Sequence, residues 1–173
     1  NVSTVMVFAI GGTTAIIIGR EIGAGRQENI YEVGLCLDTV AFLSGQIVGF
    51  LFIALTYTLF QPVLYPLFYL SPEASQIATM MSVVAFSILG IRSFNTTNVV
   101  GVLRGGGDVQ AASAIDLTPM WLRSLPLAAL AGLVFHWGIL PVYLCISLDN
   151  VVKLFLGIWR LRSGKWIRDV TAA

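Results

Sequence analysis

Six ionisable side chains stand inside otherwise apolar runs of this chain: Asp38, Arg92, Asp116, Arg123, Asp149 and Lys153. A charge at bilayer depth is costly, so such groups face a bundle interior or a watery cavity and meet partners. Asp149 and Lys153 are four apart, share a helix face and can pair, acid before base. Asp116 and Arg123 are seven apart, two turns along one face. That is too far to bond, so each needs a partner on another segment. Arg92 is expected to bond Asp116 or Asp149, because a guanidinium grips a carboxylate bidentately and keeps its charge.

This set can act as a proton or cation relay, with carboxylates changing protonation between two conformations. It can equally be permanent neutralised glue between helices, the preferred reading for Asp149–Lys153 and for Arg92. Arg123 is placed with Asp149 and Lys153 in a structural charge network. Asp38 has no cation on its own segment and is the stronger candidate for a titrating group, with Asp116 intermediate. Asn95, Thr96, Thr97 and Asn98 can line a substrate or ion path. The plainer and preferred alternative is hydrogen bonding between helices, at about 0.6 kcal/mol per contact. The ion-coupling or cavity candidates are therefore Asp38, Asp116, Arg92, Asn95 and Asn98. No nucleophile–base–acid set, zinc spacing or haem spacing occurs, so no enzyme, metal or cofactor is expected. Gly105–Gly107 lacks the Lys-Ser/Thr end of a nucleotide loop. His136 reads as a surface residue, and Cys36 and Cys145 as small hydrophobes.

The elements that must position these groups are five apolar stretches, at about 2–19, 31–60, 75–103, 109–135 and 139–160. Each approaches or exceeds the roughly 20 residues that cross a hydrocarbon core. The chain is 57% hydrophobic and 11% charged, against about 25% charged in soluble domains. The runs are too long and uniform for barrel strands, which leaves an all-α, polytopic bundle of five transmembrane helices in the lipid bilayer. Arg20, Arg26, Arg104, Arg160, Arg162, Lys165 and Arg168 fall in alternate turns and the tail, whereas the turn at 61–75 carries only Glu73 and the turn near 136–138 no Lys or Arg. This positive-inside pattern makes the first turn, the third turn and the C-terminus cytoplasmic. The same distribution excludes a nucleic-acid-binding face. The first stretch, rich in Ala, Gly and Thr, reads as a packed inner helix. Ser71-Pro72-Glu73 reads as a helix start. Pro119 and Pro126 are expected to kink the fourth span. The tail, 161–173, is expected to leave the membrane, short and polar. A first residue other than Met points to a fragment, and residues 1–173 form one unit without a soluble domain.

Four stretches in order resemble the C-terminal part of the multidrug and toxic compound extrusion (MATE) transporters. They are Ile18-Gly19-Arg20-Glu21-Ile22-Gly23-Ala24-Gly25; Gly101-Val102-Leu103-Arg104-Gly105-Gly106-Gly107-Asp108; Asp116 with Pro119-Met120-Trp121-Leu122 and Pro126-Leu127-Ala128; and Asp149-Asn150-Val151-Val152-Lys153 with Arg160-Leu161-Arg162-Ser163-Gly164-Lys165-Trp166. The resemblance implies helices eight to twelve of a twelve-helix protein of the plasma membrane, with helix seven and the N-terminal lobe as absent partners. It implies export of cationic or amphipathic small molecules in exchange for protons or sodium by alternating access. Sodium-coupled members carry an acidic residue in helix ten. The matching stretch here offers Arg92, Asn95 and Asn98 instead, which argues against a sodium site of that kind. Two alternatives remain open: a lipid-linked oligosaccharide flippase of the same superfamily, favoured by a wide cationic groove with Arg92 and Arg123, and a non-transporting membrane scaffold.

Overall fold

The computed structural model describes residues 2–26 and 28–168, with side chains from Thr4 onward. Its described residues are helical throughout, with short turns between helices. Helix α1 is Val2–Gly23. Helix α2 runs Ile30–Leu67, α-helical to Leu55 and then widened into π-helical turns over Thr56–Leu64 around Pro62. The third span is broken: α3 (Pro72–Ser87) and α4 (Leu89–Leu103) meet at 47°. Helix α5 is Val109–Val134 and α6 is Ile139–Arg162. With the broken pair counted as one span, five segments are long and apolar enough to cross a membrane.

Local chemistry explains several of these ends. Ser71 accepts a hydrogen bond from the Ala74 amide at 3.2 Å, Pro72 opens α3 and Glu73 lies in its first turn. The fourth span continues past both of its prolines. Helix α5 stays one stretch, and Pro119 and Pro126 sit beside π-helical turns at Met120–Ser124 and Leu130–Val134. A proline removes one amide donor, and a wider turn re-routes the neighbouring bonds without ending the helix. A sharp bend lies in the third span at Ile88, which no proline marks.

Packing follows small residues. Helix α2 buries Ile30, Gly34, Asp38, Ala41, Gly45 and Gly49 on one stripe against α4 and the end of α3. Gly34 meets Val102, Asp38 meets Asn98, and Gly45 meets Ser93 and Leu89, so the two helices run antiparallel. Helix α1 runs parallel to α4: Gly11 lies against Thr96, Thr14 against Gly101 and Ala15 against Gly105. Added Cβ atoms at Gly45 and Gly101 would come within 2.6 and 2.7 Å of Ser93 Cβ and Thr14 Cβ, respectively. The backbones therefore approach as closely as glycine allows, the means by which helices associate in lipid.

The bundle is inverted relative to a soluble domain. Phe8, Ile47, Leu122, Leu133 and Phe155 are exposed, whereas Thr14, Asp38, Thr56, Ser93, Thr97 and Asn98 are buried. The apolar core gathers at the basic end, around Ile18, Ile30, Val102, Leu103, Leu161 and Trp166. Beyond α6 the described chain folds back, and Trp166 is fully buried against Gly34 and Gly106. Its indole N–H donates to the Leu161 carbonyl at 3.0 Å, and the Arg168 amide donates to the Gly106 carbonyl at 2.8 Å. A large aromatic surface gains more from this glycine-lined slot than from water.

Candidate functional site

Helices α4, α5 and α6 bring five polar side chains together. Lys153 Nζ donates to Asp116 Oδ1 at 2.8 Å and lies 3.2 Å from Asp149 Oδ2. The three side chains are 13%, 44% and 16% exposed, respectively. Asn150 Nδ2 donates to Asp149 Oδ1 at 2.8 Å and to the Ser147 carbonyl at 3.3 Å. Asn95 Nδ2 reaches from α4 to the Asn150 carbonyl at 2.8 Å. The expected Asp149–Lys153 pair is therefore present, and Asn95 joins two helices.

Arg92 departs from expectation. Among the described residues no carboxylate lies within ion-pair distance of it, and its side chain is exposed. Asp116 and Asp149 share Lys153, whose stem rises one turn from Asp149 and reaches across to α5. Arg92 instead lines a cavity of about 360 Å³ together with Asn95, Asp116, Tyr143, Asp149 and Lys153. A second cavity of about 430 Å³, lined by Phe52, Phe60, Met81 and Phe86, shares Arg92 and Tyr143 with the first. Both lie beside the break in the third span, since Ile88 lines one and Leu89 the other. Helical rise puts Arg92 roughly 17 Å from Leu103, near the middle of a hydrocarbon core about 30 Å thick.

Asp38 lies elsewhere. It is 0% exposed and lines neither cavity. Its Oδ2 accepts from Asn98 Nδ2 at 2.7 Å, a partner on another span that sequence spacing could not supply. Asp38 Oδ1, Asn98 Oδ1, Thr97 Oγ1 and Ser93 Oγ are buried without a hydrogen-bond partner among the described residues. Unpaired buried oxygens are uncommon, and each calls for an explanation. Arg123 is the member that the structure does not join to the network. It is exposed, makes no ion pair among the described residues and lines neither cavity at Arg92.

A second charge cluster was not anticipated. Asp108, 1% exposed, accepts from Arg160 Nε at 2.6 Å and faces Arg168 at 3.3 Å. One signal for it was available: an acid immediately after three glycines, opposite a basic tail that also contains a tryptophan.

Over 160 residues the chain is 29% identical to the uncharacterised transporter YisQ of Bacillus subtilis (strain 168), an alignment covering 92% of this chain and 34% of that protein. Over 174 residues it is 25% identical to the probable multidrug resistance protein NorM of Thermotoga maritima, covering 96% of this chain and 34% of that protein. The resemblance to the MATE transporters holds. The chain spans about a third of the length of the curated relatives it matches. No family model and no solved structure matches the chain. The helical bundle, long and apolar enough to cross a membrane, agrees with these relatives, which are named as a transporter and a multidrug resistance protein.

Proposed function

We propose that this chain is the C-terminal part of a secondary active transporter. It exports small amphipathic compounds in exchange for protons or sodium by alternating access, in the plasma membrane, with its basic end cytoplasmic. The observation that carries this reading is a polar cavity opening at a broken helix, at mid-membrane depth. Secondary transporters build their sites from discontinuous helices at that depth. The two relatives' names point the same way, one a transporter and one a multidrug resistance protein.

Roles divide between two places. The Lys153–Asp116–Asp149 cluster fixes α5 to α6 and forms one wall of the cavity. Asp38, buried against Asn98 between α2 and α4, is the coupling carboxylate. A carboxylate that gains and loses a cation there changes the charge between two tightly packed helices, and with it their preferred arrangement.

The test uses the full-length protein in proteoliposomes. Uptake of an amphipathic fluorescent dye is followed under an imposed pH gradient and, separately, a sodium gradient. Transport driven by either gradient is the expected result. Absence of gradient-dependent dye movement across a panel of dyes overturns the proposal.

A further inference from the structure

We infer that the two adjoining cavities beside the third-span break hold a ligand with a carboxylate on an apolar body, and that Arg92 grips the carboxylate. This rests on the transport reading and names its substrate class. It also departs from the cationic substrates that the resemblance implies.

Hydrogen-bond accounting at the cavity carries the inference. Lys153 is committed to two carboxylates, at 2.8 and 3.2 Å. The Asn95 amide donates to the Asn150 carbonyl, and the Asn150 amide donates to Asp149 and Ser147. Among the described residues lining the cavity, Arg92 is the charged group without a partner. A guanidinium near the middle of a membrane needs an anion, and its planar fork fits a carboxylate with two parallel hydrogen bonds. The Tyr143 side chain lies at the same junction of the two cavities.

The shape of the space supplies the other half. Arg92 stands where the polar cavity meets the one lined by Phe52, Phe60, Met81 and Phe86. Phe52 and Phe86 stack with ring centroids 5.0 Å apart, a flat apolar wall. A carboxylate at Arg92 therefore leaves its attached body against aromatic and thioether surface, where a planar ring packs well. An organic cation finds less here. Both acids of the cavity already share an ammonium, and Arg92 repels a second positive charge. Lys153 against two carboxylates leaves that wall one negative charge in excess, and Asp116, 44% exposed, faces the space. An ammonium beside the ligand's carboxylate would meet Asp116, so both a plain carboxylate and an amino acid fit the chemistry.

The experiment measures equilibrium binding of four naphthyl probes to the full-length protein in detergent, together with transport in proteoliposomes. The probes are 4-(2-naphthyl)butanoate, its primary amide, the matching trimethylammonium compound, and 3-(2-naphthyl)alanine. A bidentate contact to a charged group is worth about tenfold or more in affinity. The butanoate or the amino acid should bind about tenfold tighter than the amide, and the trimethylammonium compound weakest. Whichever carboxylate binds tighter shows whether an ammonium is part of the head. Arg92→Gln should remove the carboxylate preference and leave amide binding within about twofold, while Arg92→Lys should restore part of it. Unchanged amide binding also shows that the variants fold. Equal binding of carboxylate and amide, or tightest binding of the trimethylammonium compound, overturns the inference while leaving transport itself intact. Preferential carboxylate binding without gradient-driven transport keeps the site and overturns the transport reading.

Discussion

Lys153→Met removes one ammonium and leaves two carboxylates facing each other between α5 and α6. Taking one partner from a buried pair costs about 3–5 kcal/mol, whereas an exposed pair is worth about 0–1 kcal/mol. The two contacts fall at different points on that scale. Lys153 and Asp149 are 13% and 16% exposed, so their pair counts near the buried limit. Asp116 is 44% exposed, so its 2.8 Å contact is discounted to the surface range. Together they give a loss of about 3–6 kcal/mol for Lys153→Met. The residual cost is the unpaired charge, so removing that charge should recover most of it. Lys153→Met combined with Asp116→Asn and Asp149→Asn should return to within about 1 kcal/mol of the parent, because a fully neutral replacement of a buried ionic cluster is nearly neutral in stability. The assay is reversible unfolding of the full-length protein in mixed micelles, read as a thermodynamic cycle over the single, double and triple variants. A single variant within about 0.5 kcal/mol of the parent refutes the electrostatic reasoning, since surface substitutions alone fall in that range. A triple variant less stable than the single one would also refute it.

Three further outcomes are expected. Asp38→Asn should leave the full-length protein folded, since an amide preserves the contact with Asn98, yet abolish gradient-driven dye transport in proteoliposomes; retained coupling would remove Asp38 from that role. Trp166→Ala should cost about 3–5 kcal/mol in micelle unfolding, because it empties a fully buried slot against Gly34 and Gly106; a loss near zero would mean that the fold-back does not hold the basic end. A membrane-impermeant maleimide should label Tyr69→Cys in intact cells and label Arg104→Cys only after permeabilisation, since Tyr69 is 95% exposed at one end and Arg104 lies at the other; the reverse pattern would invert the proposed orientation.

Much of the fold was readable before any coordinate. Runs of apolar residues long enough to span a bilayer have few structural solutions, because lipid offers the backbone no partners. The α3 cap was equally legible, since Ser71, Pro72 and Glu73 act within one turn. The charge partners were not. Arg92 was expected on an acid, but Lys153 took both carboxylates, and the choice depended on which stems reach across a helix interface. Its span alone groups Arg123 with the network, and the structure leaves it outside. Pro119 and Pro126 are legible as helix perturbations, but the π-helical turns at Met120–Ser124 and Leu130–Val134 are not.

Composition and periodicity thus determined that this chain crosses membranes as helices, where those helices begin, and which few side chains carry charge at depth. These are consequences of hydrocarbon thickness and local backbone chemistry, and they act over one helix at a time. Only the tertiary structure decided that Asp38 meets Asn98, that Asp116 meets Lys153 and that Trp166 returns to Gly106. Those contacts join segments far apart in the chain. They exist because small residues let particular backbones approach, which one-dimensional spacing does not encode.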